Sequence, residues 1–257
     1  MARSATTLGS YSAEPKKVFP AVVADQTVSG VARGARNARE PLGPEFLSAH
    51  QMDLIFRSRK RIGAKGSLYR AGEPFDALYL VRAGAFKTLI RAEDGREQVT
   101  GFYISGDIFG TDGFGQERYA CEAIALEDSE VGSLPFAEFD QLAQETPRLR
   151  RSLYRCIGAH IARGQQMMLV LGSMCAEERL AAFLLDLARH YHARGYSMSE
   201  FVLRMSRNEI ASYLGLKLET ISRLFSRFQE AGLLQVQGRM VKLLDLPALA
   251  RLSGNGT

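Results

Sequence analysis

The sequence predicts an α+β protein: an N-terminal β-roll of the jelly-roll type, a long dimerisation helix and a C-terminal winged helix-turn-helix. Three observations predict it. Short apolar runs separated by glycines fill residues 61–134, helix-forming residues dominate residues 136–194, and residues 206–234 have helix-turn-helix spacing. We therefore expect a flexible extension at 1–44, the β-roll at 45–145, the dimerisation helix at 146–175 and the winged helix-turn-helix at 176–257.

The composition is that of a globular protein with room for two cores. The chain has 257 residues, of which 46% are hydrophobic and 24% charged. Its net charge of +5 permits a nucleic-acid partner without requiring one. Three scattered cysteines do not make a disulfide framework and favour a reducing compartment. No signal peptide or membrane span is predicted, so we expect a cytoplasmic protein with no membrane partner.

The predicted roll contains turn signals and lacks metal ligands. Ala83-Gly84 predicts a turn, and Asp94-Gly95 predicts a hairpin with positive φ at both central positions. No histidine occurs between Gln51 and Ala159. An enzyme of the cupin type holds its metal with inward-pointing histidines, so this pattern argues against an enzyme and against a metal site.

The first part of the helical stretch has a repeating apolar or small residue every three or four positions, which is typical of a coiled-coil seam and predicts a homodimer. The alternative is that this stripe packs on the chain's own roll. The predicted seam residues are Leu149, Leu153, Cys156, His160, Gly164, Met167 and Leu171.

The helix-turn-helix prediction depends on five apolar positions and two small ones. With Arg207 as the first template position, Ala211 falls where two helices touch and Gly215 falls at the tight turn. The apolar positions that hold the two helices together are Ile210, Leu214, Leu216, Ile221 and Leu224. The predicted partner is double-stranded DNA.

The second helix of this motif presents a polar face. Arg223 is suited to guanine and Glu219 to cytosine in the major groove, so we predict both as base readers. The alternative is an ordinary surface ion pair between residues four positions apart. The residues predicted to contact the DNA backbone are Arg207, Lys217, Thr220, Arg227, Gln237 and Arg239, of which the last two flank the Gly238 turn of the wing.

Residues 45–250 resemble the family of the cyclic-AMP receptor protein and the fumarate/nitrate reduction regulator, Crp/Fnr. The segments "LRRSLYRCIGAHIARGQQMMLVLGS", "MSRNEIASYLGL" and "LETISRLFSRFQ" look like its Fnr branch. The resemblance implies a cyclic-nucleotide-binding-like roll, base contacts from Glu219, Ser222 and Arg223, and an inverted repeat close to TTGAT-N4-ATCAA. It also implies contact with RNA polymerase through the loop at 91–97.

The sequence departs from its relatives in what it can sense. Oxygen-sensing members of the family hold a [4Fe–4S] cluster with four cysteines, whereas residues 1–120 here contain none. Of the residues with which the family binds a cyclic nucleotide, this sequence keeps a phosphate-binding arginine at Arg118. Thr111 and Tyr119 stand where the family has a glutamate and a serine. We expect no cofactor. The alternatives left open are a cyclic-nucleotide response, a haem ligand among the four histidines, or a redox-active thiol among Cys121, Cys156 and Cys175.

Overall fold

The computed structural model describes residues 49–254, and the extension predicted at residues 1–44 lies outside them. A short helix precedes eight strands, which confirms the predicted roll. These elements are α1 (Ala49–Ile55), β1 (Ser58–Ile62), β2 (Ser67–Tyr69), β3 (Ala77–Ala83), β4 (Ala85–Arg91), β5 (Glu97–Ile104), β6 (Ile108–Phe109), β7 (Glu122–Ala125) and β8 (Ser129–Pro135).

The strands form two antiparallel four-stranded sheets, ordered β1-β8-β3-β6 and β2-β7-β4-β5. Gly84 lies at the corner where the chain passes from one sheet to the other. Its φ is +83°, and a Cβ there would lie 2.1 Å from the Ser129 Oγ, so only glycine fits. The Asp94-Gly95 loop differs from the prediction. Only Gly95 has a positive φ, and Ala92 N donates to Arg96 O across a loop longer than the expected two residues.

Aromatic side chains fill the interior of the roll. Phe86 and Phe109 are fully buried, and the ring centroids of Tyr69 and Tyr119 lie 3.8 Å apart in a stacked arrangement. Tyr103 stacks on Phe109 at 5.0 Å. Such rings bury large apolar areas and pack in offset or edge-on pairs, so they form the core of the roll.

The second half of the described chain is mostly helical, with a small three-stranded sheet ordered β10-β11-β9. We call residues 176–254 the head. The elements are α2 (Phe136–Glu145), α3 (Pro147–Ser173), α4 (Ala176–Ala193), β9 (Glu200–Val202), α5 (Arg207–Leu214), α6 (Leu218–Glu230), β10 (Leu234–Gln237), β11 (Met240–Leu243) and α7 (Leu246–Leu252). Among these described residues no helix has the length and apolarity that crossing a membrane requires.

One buried cluster joins the head to the roll. Leu180 and Leu184 of α4 pack with Ile210 of α5 and Ile221 of α6 in the head, and Ala85 and Ile104 of the roll belong to the same cluster. The head is therefore seated on the roll and not merely tethered to it.

The N-terminal residues of the predicted seam on α3 face the chain's own roll. Leu149 and Leu153 pack with Phe56 and Leu134 of the roll. The Cys156 Sγ lies 3.9 Å from the Ile108 carbonyl oxygen.

His160 is a further member of this inward face. Its Nδ1 lies 2.6 Å from the Thr111 Oγ1, and its Nε2 lies 2.7 Å from the Tyr103 hydroxyl. Burial, and then the charge of Arg163, hold the pKa of His160 below its ordinary value. This environment disfavours the charged form of the imidazole, which lies between two hydroxyl groups.

At the other end of the predicted seam, Leu171 contacts the head, Met167 is half-buried and Gly164 is exposed. A different face of α3 carries exposed large apolar side chains. Tyr154, Ile161 and Met168, each seven residues from the next, are 63%, 58% and 68% exposed. Helix α3 therefore has apolar side chains on the face that packs against the roll and on a second, exposed face, and the sequence analysis did not single out the seven-residue spacing of that second face.

Candidate nucleic-acid interface

The helix-turn-helix begins with a capping box. The Ser206 Oγ accepts from the Glu209 backbone N at 3.3 Å, and the Ser206 backbone N donates to the Glu209 Oε2 at 2.7 Å. These bonds satisfy two N–H groups that have no partner inside the helix, and they start α5 at Arg207, as the template required.

The two helices of the motif meet at small and apolar residues. Ala211 is buried between them, and Gly215 has φ +62° and ψ +38°, the left-handed conformation of a helix C-cap. Among the five predicted apolar positions Leu216 is half-buried, and the buried ones are Ile210, Leu214, Ile221 and Leu224. The angle between α5 and α6 is therefore fixed by packing.

The outward face of α6 is polar. Glu219, Ser222 and Arg223 are exposed, and Thr220 is half-buried. The Arg223 Nε donates to the backbone carbonyl of Glu219 at 3.3 Å, a bond that leaves the Glu219 carboxylate for another partner. The structure thus brings the three predicted base readers to one accessible face near the helix N-terminus, where an element entering the major groove reads bases.

The predicted backbone contacts fall into two groups. Lys217, at the N-cap of α6, and Gln237 and Arg239, on either side of the wing turn at Gly238, are exposed. Their position on the outer surface suits phosphate contacts, which come from cationic and polar side chains and from helix N-termini. Thr220 lies on the same side of α6 as Glu219 and Arg223.

The other two predicted backbone contacts are engaged with the protein. The guanidinium carbon of Arg207 lies 3.1 Å from the centroid of the Phe225 ring, and burial lowers the pKa of this arginine to about 10. Arg227 forms an ion pair with Glu177 of α4. Each would have to leave its present partner to reach a phosphate, a cost that the sequence analysis did not anticipate.

The roll does not fit a cyclic nucleotide, because its own groups take the polar contacts. The Tyr119 ring, in the family's serine position, stacks on Tyr69, and its hydroxyl donates to the Ala77 carbonyl oxygen at 2.7 Å. The exposed Arg118 donates to the Gly72 carbonyl oxygen at 2.6 Å.

The Asp112 carboxylate completes this internal set of contacts. It accepts from the backbone N–H groups of Ala120 at 3.0 Å and Cys121 at 3.1 Å. A carboxylate already occupies the donors at this edge of the roll, so an added phosphate would meet a negative charge there.

The three free cysteines lie apart and do not form a metal site. Cys121 is buried in the roll, Cys156 is half-buried on α3 and Cys175 is exposed at the start of α4. Burial raises the pKa of both Cys121 and Cys156 above its ordinary value, which reduces the reactive thiolate form. Within residues 49–254 no three or more histidine, cysteine or acidic side chains are grouped as metal ligands. A [4Fe–4S] cluster takes four thiolates and the chain has three cysteines, so its own thiols do not fit such a cluster.

Two family models match the chain along the two halves described above. Residues 59–146 match the cyclic nucleotide-binding domain, and residues 178–252 match the Crp-like helix-turn-helix domain. The fold and the exposed face of α6 define the class: the chain is a transcription regulator with a helix-turn-helix DNA-binding domain.

Comparison with known proteins narrows the class. The chain is 44% identical over 214 residues to the transcriptional regulatory protein btr of Bordetella pertussis, covering 83% of this chain and 88% of that protein. The chain belongs to the Crp/Fnr family. It is also 42% identical to the fumarate and nitrate reduction regulatory protein of Escherichia coli over 215 residues, which is 82% of this chain and 86% of that protein. The solved structure of FixK2 from Bradyrhizobium japonicum superposes with a TM-score of 0.70 at 29% identity, covering 76% of this chain and 96% of that one.

Proposed function

We propose that this regulator binds, as a homodimer, an inverted repeat close to TTGAT-N4-ATCAA. The observation that carries the proposal is the exposed face of α6, where Glu219, Ser222 and Arg223 lie together while the opposite face is buried. Arg223 pairs with a guanine, and Glu219 accepts from a cytosine amino group. Lys217, Thr220, Gln237 and Arg239 contact phosphates, joined by Arg207 and Arg227 once they leave their partners.

The dimer forms through the outward face of α3. Tyr154, Ile161 and Met168 are exposed apolar side chains on one side of a helix of 27 residues. Two such helices side by side bury these residues symmetrically and place the two-fold axis along α3. A two-fold axis presents the two recognition helices about one turn of DNA apart, ~34 Å, which matches an inverted repeat.

The regulator activates transcription by contacting RNA polymerase. Some relatives of similar sequence identity to this chain are named activators. One is the transcriptional activator protein anr of Pseudomonas aeruginosa, which is 42% identical over 82% of this chain and 88% of that protein. The loop between β4 and β5 is exposed and rich in charge, with ion pairs of Arg91 with Glu97 and of Arg96 with Asp94. A charged loop on the surface of the roll is suited to a transient protein contact.

Regulation does not use a cyclic nucleotide or a cofactor in this proposal. Two observations support this part of the proposal. Aromatic side chains fill the interior of the roll, and the Asp112 carboxylate accepts hydrogen bonds from the backbone N–H groups of Ala120 and Cys121. A redox role for Cys121 or Cys156 is disfavoured by the raised pKa of each thiol. Isothermal titration of the full chain with cyclic AMP tests this part, and saturable heat at one site per protomer would contradict it.

The DNA proposal is tested by equilibrium binding to a labelled TTGAT-N4-ATCAA duplex and to a scrambled duplex of equal length. Both measurements use one stated salt concentration, because phosphate contacts make affinity steeply salt-dependent. We expect a strong preference for the repeat, and we expect Arg223→Ala to reduce it by about 1–3 kcal/mol per half-site. The matched control is Arg189→Ala, which replaces an exposed arginine of α4 that is not among the predicted DNA contacts. Equal binding of both duplexes by the unmodified chain would overturn the proposal.

A further inference from the structure

The covalent connection between the dimer helix and the head is very short. Helix α3 ends at Ser173 and α4 begins at Ala176, so only Met174 and Cys175 lie between them, both in extended backbone conformations. Two extended residues do not define an angle between helices by themselves, because each has two rotatable backbone dihedrals. The orientation of the head against α3 must therefore come from side-chain contacts.

One side chain binds all three parts of this junction. The guanidinium of Arg179 on α4 donates from Nη2 to Leu171 O of α3 at 2.9 Å, and from Nε to Met174 O of the connection at 2.9 Å. Its Nη1 donates to Leu214 O, at the end of α5, at 3.0 Å. The last carbonyls of a helix have no partner inside the helix and carry partial negative charge. The guanidinium of Arg179 thus donates hydrogen bonds to carbonyl oxygens at the C-termini of both α3 and α5.

Independent contacts hold the same end of α5. A Cβ on Gly215, the turn residue of the motif, would lie 3.1 Å from the Leu171 Cδ2, so α3 directly abuts the helix-turn-helix. From the other side the Gln98 side chain of β5 donates to the carbonyl oxygens of Ser212 and Tyr213. The Ser212 hydroxyl also accepts from Val99 N at 3.0 Å.

We propose that Arg179 is a positioning residue that sets which spacing between DNA half-sites this regulator recognises. The inference rests on the proposed function, since it assumes a dimer axis along α3. Helix α6 is rigidly packed on α5, and Arg179 joins α5 to α3. Arg179 acts together with the buried cluster and the β5 contacts that hold the head, and the separation and rotation of the two recognition helices depend on its bond between α5 and α3. One added base pair moves a half-site by ~3.4 Å and ~35°, which a rigid clamp does not follow.

The test measures affinity for inverted repeats with N3, N4 and N5 spacers and for a duplex with a single half-site. Arg179→Met keeps the length of the side chain without its donors, and Arg179→Lys keeps the charge but not the planar set of donors. Arg189→Met removes an exposed arginine from the same helix and is the matched control. Thermal unfolding and sedimentation check that each variant is a folded dimer, and Arg179→Lys supplies the test if Arg179→Met unfolds.

We expect the unmodified chain and Arg189→Met to prefer the N4 spacer by about tenfold or more, the scale of one disrupted base-pair contact. In both Arg179 variants we expect that preference to fall by about fivefold, the scale of one net hydrogen bond, because the buried cluster and the β5 contacts remain. Affinity for the single half-site stays within about twofold of the unmodified chain. A variant that keeps the spacing preference, or one that loses single-site affinity, overturns the proposal. An unmodified chain that binds all three spacers equally overturns it as well and leaves the proposed function standing. Failure to prefer any repeat over scrambled DNA overturns the proposed function itself.

Discussion

Replacing Ile161 with alanine tests which face of α3 joins the two chains. Ile161 is 58% exposed, and full burial of an isoleucine side chain stabilises by about 1.5–3 kcal/mol. More than half of that gain is still available to a partner, so each protomer contributes about 1 kcal/mol. A symmetric dimer contains the residue twice, and Ile161→Ala should weaken it by about 2 kcal/mol, an increase of about 30-fold in the dissociation constant.

Sedimentation equilibrium over a range of protein concentrations measures this constant. The control is Leu153→Ala, on the face of α3 that packs against the roll. It should lower the free energy of unfolding by about 2 kcal/mol and leave the dimer constant unchanged. The reasoning is refuted if Ile161→Ala dimerises like the unmodified chain while Leu153→Ala dissociates, since the seam would then be the one read from the sequence.

Three further predictions concern DNA affinity and stability. Arg239→Ala should weaken binding equally to specific and scrambled DNA and reduce the slope of log affinity against log salt by about 1 per half-site; filter binding at several salt concentrations measures both. Burial by itself would raise the pKa of Glu209, but bonds from Lys87 and Ser206 outweigh it and hold the pKa below 4.5. The charge of Glu209 then stabilises the fold above pH 4.5 and stops doing so as the pH falls below that value. The free energies of unfolding of Glu209→Gln and the unmodified chain, measured by urea titration, should therefore differ at pH 7 and converge in acid. An equal difference in unfolding free energy at both pH values contradicts this. Leu180 is fully buried, and Leu180→Ala should cost about 2–5 kcal/mol of unfolding free energy in the same titration.

The head shows which structural features the local sequence pattern predicts and which it does not. The spacing of Ala211, Gly215 and the apolar positions predicted the two helices, their turn and the exposure of Glu219 and Arg223, because each depends only on helix periodicity and on one left-handed residue. The same pattern did not predict that Arg207 lies on the Phe225 ring, since the two belong to different helices.

The hairpin at Gly95 illustrates a second limit. The Asp-Gly pair correctly marked a turn between two strands, because glycine adopts positive φ without steric cost. It did not fix the length of the loop, in which Ala92 and Arg96 pair across a turn with only Gly95 left-handed. Loop length depends on the register of β4 and β5, which is set by side chains along the whole strand pair.

The sequence by itself determined the order of roll, long helix and winged helix-turn-helix, because hydrophobic periodicity and turn residues act over a few neighbouring positions. Only the tertiary structure decided that Leu153 and His160 face the roll while Ile161 faces outward, and that Arg179 joins the ends of α3 and α5. The physical reason is that α3 carries apolar residues on more than one face. Which of them is buried within one chain depends on strands and helices brought together from distant parts of the sequence.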